Sequence, residues 1–163
     1  MRAMVLLWLC SFSLSAELAP AFEPLAPMVG KTWRGEFSNS TPERPMVDIS
    51  TWEEALQGQA VRIRHSLNQG EYEGETFIVY NKALEELEFF YFTTAGFYTR
   101  GQVTFEGDTM ISHETVTGSE QGITEVKAEV RLLPDGSMAH QAYYLQNGEW
   151  VKGHAAEYRA IEP

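Results

Sequence analysis

The stretch Leu87-Glu88-Phe89-Phe90-Tyr91-Phe92-Thr93-Thr94-Ala95-Gly96-Phe97-Tyr98-Thr99-Arg100-Gly101-Gln102-Val103-Thr104-Phe105-Glu106-Gly107-Asp108-Thr109 decides how this chain folds. Aromatic and β-branched residues crowd two short runs, 87–93 and 97–105, and the breaks after them, Ala95-Gly96 and Glu106-Gly107-Asp108, carry turn chemistry. The reading is two strands of an antiparallel hairpin leading into a third. The same rhythm, a break at intervals of roughly ten residues, runs outward in both directions. It predicts further strands at 32–37, 46–54, 60–67, 75–80, 109–117, 123–132, 137–146 and 150–160, with Asn68-Gln69-Gly70, Asn81-Lys82, residues 118–122, Pro134-Asp135-Gly136 and Asn147-Gly148 between them. Residues 84–87 read as a turn.

Strands joined by tight hairpins lie side by side in chain order. Ten of them in an open sheet would leave two long unpaired edges, and closing the sheet on itself removes both. The expectation is therefore an all-β chain: a single antiparallel up-and-down barrel of about ten strands over residues 31–163.

What precedes the barrel divides in two. Arg2, an apolar run from Met4 to Leu9 that extends through Phe12 and Leu14, and small residues ending at Ala16 have the layout of a signal peptide over residues 1–16. The run is too short to span a bilayer, so no stable membrane span is expected. Cleavage after Ala16, with Ser15 the rival position, removes the sole cysteine, Cys10, and places the mature protein in the periplasm or outside the cell. Residues 17–30 then hold Pro20, Pro24 and Pro27 among Leu18, Phe22 and Leu25. Prolines at this density forbid a long helix, so this is a lead-in with at most one helical turn near 22–28, its apolar residues plugging one end of the domain.

A length of 163 residues suits one domain. Twelve basic residues against 23 acidic ones give a formal net charge of −11, one unit more negative once Arg2 is lost. Such a surface repels phosphate backbones and anionic lipid heads, which argues against nucleic-acid and polybasic membrane partners.

The segment Gly30-Lys31-Thr32-Trp33-Arg34-Gly35-Glu36-Phe37, after a leucine-bearing lead-in, resembles the opening of calycin barrels. Lipocalins have Gly-x-Trp there and this chain has one residue more. Thr32-Trp33-Arg34-Gly35-Glu36 is similar to nitrobindin-like and other lipocalin-like bacterial barrels, and the ten-strand count agrees. The resemblance implies a lumen that holds a ligand and, for nitrobindins, a haem held by a histidine near the end of the chain. His154 is the position here that matches. The stretches 60–66 and 91–98 resemble those of a group of secreted bacterial proteins, from which no activity carries over.

The candidate ligand contacts follow from face and chemistry. Arg62 and Arg64 share one face of their strand, opposite Val61, Ile63, His65 and Leu67. Pointing inward they would grip a carboxylate or phosphate head group; pointing outward, the default, they pair with surface acids. Tyr91, Thr93 and Tyr98 come from the aromatic hairpin and offer rings and hydroxyls at a barrel mouth, or simply core. Strict alternation places Trp150, His154 and Tyr158 on one face, giving His154 aromatic walls. The four histidines, His65, His113, His140 and His154, lie on four strands with no His-x-His or Glu-x-x-His, so spacing gives no support for a metal site. No Gly-x-Ser-x-Gly elbow, catalytic cysteine or phosphate loop is present, and no catalysis is inferred. Three functions stay open: a monomeric carrier of a small apolar or amphipathic molecule, a haem protein using His154, or an envelope interaction protein whose barrel is filled by its own side chains.

Overall fold

The computed structural model describes residues 17–162; the expected signal peptide lies outside the described residues. Ten strands follow a short 3₁₀ helix, Pro20–Leu25: β1 Lys31–Phe37, β2 Val47–Ala55, β3 Ala60–Leu67, β4 Tyr72–Asn81, β5 Glu86–Thr93, β6 Tyr98–Glu106, β7 Thr109–Thr117, β8 Glu125–Leu132, β9 Met138–Gln146 and β10 Glu149–Ile161. Each pairs antiparallel with its predecessor. β1 also pairs with β10, from Thr32 opposite Ile161 to Phe37 opposite Ala156, which closes the barrel. Every strand thus has two neighbours and no edge remains. Among the described residues no helix is long and apolar enough to cross a membrane.

Because each strand reverses the last, the two ends of the barrel differ. The β2–β3, β4–β5, β6–β7 and β8–β9 turns lie at one end together with the lead-in. The backbone N–H of Ala19 donates to the Gly58 carbonyl in the β2–β3 turn at 2.9 Å, and Phe22 and Leu25 are 1% and 0% exposed. They pack with Met28, Trp33, Val61 and Ile78 in the core. The indole Nε1–H of Trp33 donates to the Met28 carbonyl at 3.1 Å, fastening the plug to β1. The prolines explain why this segment is a single tight turn: they set φ for a helical start and withhold the N–H groups that a longer helix needs.

One local feature alters the side-chain pattern. β10 pairs Lys152 with Tyr143 and then Ala155 with Gln141, so β10 carries one extra residue between them. A bulge of this kind flips the inside–outside alternation. Downstream of it His154, Ala156 and Tyr158 face the interior; upstream, Trp150 faces out, 45% exposed, its ring 5.8 Å from that of His113 on the outer surface.

Candidate functional site

Above the plug the barrel is hollow. A cavity of about 560 Å³ opens toward the end that carries the β1–β2, β3–β4, β5–β6 and β7–β8 turns. Its walls are inward residues of the strands: Asp48, Ser50 and Trp52 from β2, Ile63 and His65 from β3, Tyr91 from β5, Ser112 and Glu114 from β7, His140 and Tyr144 from β9, His154 and Tyr158 from β10. Most of this wall is apolar, and the polar groups converge in three sets.

The first is a chain of hydrogen bonds across β2, β3, β4, β5 and β10. Asp48 is 2% exposed. Its Oδ1 accepts from Nδ1–H of His65 at 3.0 Å and its Oδ2 from the Tyr158 hydroxyl at 3.0 Å. His65 Nε2 accepts from the Tyr91 hydroxyl, which in turn accepts from that of Tyr72, both at 2.7 Å. A buried carboxylate without such donors would be costly, and here both oxygens are met. Two glycines make the geometry possible. A Cβ on Gly35 would stand inside the Tyr158 ring, and one on Gly74 would overlap Tyr91 and the His65 imidazole. Mid-strand glycine marks such close approach. Burial pushes the phenols of Tyr91 and Tyr158 well above their ordinary range, so both stay protonated and serve as donors. The Asp–His–hydroxyl order is that of a base beside a hydroxyl, here with the hydroxyl on a phenol that burial holds in its neutral form.

In the second set Glu114, 6% exposed, receives hydroxyl donors from Ser112 at 2.6 Å and Thr99 at 2.7 Å. Burial pushes its carboxyl above the usual carboxylate range, against the pull of those two hydrogen bonds. The third set is a stack of rings. His154 lies between Phe37, with centroids 5.0 Å apart, and His140, 5.1 Å apart, and its Nδ1 is hydrogen-bonded to the Tyr144 hydroxyl. Burial lowers the pKa of both imidazoles, that of His140 to about 3. Two buried polar atoms in the wall, Trp52 Nε1 and His140 Nδ1, have no hydrogen-bond partner among the described residues. No group of three or more His, Cys, Asp or Glu among the described residues is placed to hold a metal ion.

Of the residues singled out in the sequence, Tyr91, Tyr158 and His154 line the cavity. Thr93 closes the β5–β6 turn, its hydroxyl donating to the Phe97 carbonyl at 2.9 Å. Tyr98 is 44% exposed on the outer face, 6.2 Å from the Phe92 ring, because Phe97 and Thr99 take the inward positions. Trp150 is outside for the reason given by the bulge. The inward alternative for Arg62 and Arg64 is overturned. Arg62 Nε donates to Glu53 at 2.6 Å and Arg64 Nε to the same oxygen at 3.2 Å, on the outer face where β2 pairs with β3. Sequence reading missed Asp48, His65, Glu114 and His140 as a group. One signal was there in Gly35, a glycine inside the expected strand 32–37 that reserves space for a neighbouring ring; Gly74 does the same in β4 but lies outside the expected strand 75–80.

Comparison with known proteins is sparse: no family model and no curated protein matches the chain. Among solved structures, the crystal structure of Rv2717c from M. tuberculosis superposes with a TM-score of 0.65 and 14% sequence identity, covering 90% of this chain and 100% of that one. At that identity the likeness shows the fold, a β-barrel, and nothing of the site.

Proposed function

We propose that the protein is a calycin-like, extracytoplasmic barrel that binds one small apolar or amphipathic molecule in its interior, as a monomer and without catalysis. The observation that carries this reading is the cavity: about 560 Å³, plugged at one end and open at the other, with apolar walls and a few convergent polar groups. That volume favours a carrier over a barrel packed solid by its own side chains. The head-group contacts are the interior hydroxyls, imidazoles and carboxyls in place of the arginines. The closed ladder supports the monomer, since it leaves no strand edge to recruit a second copy. The leader-like residues 1–16 support export.

The test is extraction of the purified protein, with mass spectrometry of what is released, alongside titration with an apolar fluorescent dye. An equimolar compound or a saturable single site is expected, lost when the inward Ala128 is enlarged (Ala128→Trp). No compound and no dye binding refutes the proposal.

One observation favours a second reading, haem. With Nδ1 of His154 held by Tyr144, Nε2 makes no hydrogen bond among the described residues, the arrangement of an axial histidine oriented by an outer partner. The residue fits iron, which would supply the binding of a diatomic or redox chemistry. The haem carboxylates, however, meet no lysine or arginine in the cavity and would stay at the mouth. A Soret band on haem addition, lost in His154→Ala, supports this reading and its absence removes it.

A further inference from the structure

The cavity wall carries carboxyl groups and no ammonium or guanidinium group. Asp48 and Glu114 line the cavity, Glu120 lies at its rim, and no lysine or arginine is among the lining residues. The two innermost imidazoles do not compensate, because burial disfavours their cationic forms. A carboxylate or phosphate brought here would shed its water with no cation to receive it. The opposite charge meets a different wall. Eight phenylalanine, tyrosine and tryptophan rings line the cavity, and the negative face of an aromatic ring attracts a desolvated cation. The net charge of −11 adds a field that draws cations to the mouth.

The two carboxyl groups are not equivalent. Asp48 is committed to His65 and Tyr158. Glu114 is held only by the hydroxyls of Ser112 and Thr99, and a carboxylate has lone pairs beyond those two. Trp52, 4% exposed, contributes its ring to the cavity lining, while its indole N–H is buried with no acceptor among the described residues. Resting on the interior-binding reading above, we infer that the cavity takes a lipophilic organic cation, an amine or quaternary ammonium on an apolar body, with Glu114 as its counter-ion.

Isothermal titration of the exported chain with decyltrimethylammonium, decanol and decanoate, each below its micellar concentration and at physiological salt, separates the alternatives. The cation is expected to bind one site at least about tenfold tighter than decanoate, a difference of about 1.4 kcal/mol. Glu114→Gln lowers cation affinity by about tenfold or more and leaves decanol unchanged, and Ala128→Trp removes the site, separating it from the acidic exterior. Decanoate binding as tightly as the cation overturns the inference on the native protein, whether or not Glu114→Gln folds. So does cation binding that survives Ala128→Trp. If decanol and decanoate bind and the cation does not, charge selection alone fails; if none of the three binds, the interior-binding reading fails with it.

Discussion

Replacing Gly35 with alanine tests the interior network through a single methyl group. The backbone of β1 at Gly35 is ordinary extended chain, so alanine meets no conformational barrier there; its Cβ meets the Tyr158 ring. Tyr158 is 8% exposed and its hydroxyl bonds to Asp48 at 3.0 Å, so the ring cannot step aside without giving up that bond. Overpacking a core costs about 1–3 kcal/mol, and a hydrogen bond to a charged group contributes about 1.5–3 kcal/mol. Lower entropy of the unfolded chain returns about 0.4–1 kcal/mol. The net is a loss of about 1.5–5.5 kcal/mol. With a urea m-value of about 2 kcal/mol/M this moves the unfolding midpoint down by about 1–3 M. In a Tyr158→Ala background the methyl has room, and Gly35→Ala keeps only the entropic gain of about 0.4–1 kcal/mol, so the double-mutant cycle gives a coupling of about 2.5 kcal/mol or more. A loss below about 1 kcal/mol in the native background, or an equal loss with and without the ring, refutes the role assigned to Gly35.

Two further predictions use charge. His140 has a folded-state pKa near 3 against an ordinary value of 6.5, so the unfolded chain binds its proton first as the pH falls. Stability from this group is intact above about pH 6.5 and declines toward about pH 3; His140→Phe flattens that slope in urea titrations at pH 7, 5 and 4, and an unchanged slope contradicts it. Arg62→Met and Arg64→Met change stability by less than about 1 kcal/mol, as expected for partly exposed pairs, and leave retention of any extracted ligand intact; weakened retention in urea-stable variants would return these arginines to the site.

Strand number and hairpin order were legible because turn chemistry is local: Asn68-Gln69-Gly70 and Asn147-Gly148 announce reversals without reference to anything distant. β4 was read too short, since Tyr72, Glu73 and Gly74 lie in the strand although the Gly-rich approach reads as turn. The inside of the barrel was less legible. Alternation divides β3 correctly into two faces but does not say which is buried. Arg62 and Arg64 are settled as outer residues only by Glu53 on the neighbouring strand. Trp150 was misplaced because a one-residue bulge in β10 leaves no mark in composition. Asp48, His65 and Tyr91 come from three strands, and their meeting is a property of register that no single segment carries.

The position of the plug fixes how the molecule can be handled. Glu17 lies against the β2–β3 turn, its carbonyl beside Gly58, and β10 ends at the same pole, with Ile161 opposite Thr32 near the start of β1. A fusion partner, affinity handle or surface linker joined to either terminus of the described chain therefore projects from the sealed base, and an immobilised barrel presents its aperture outward to the solution.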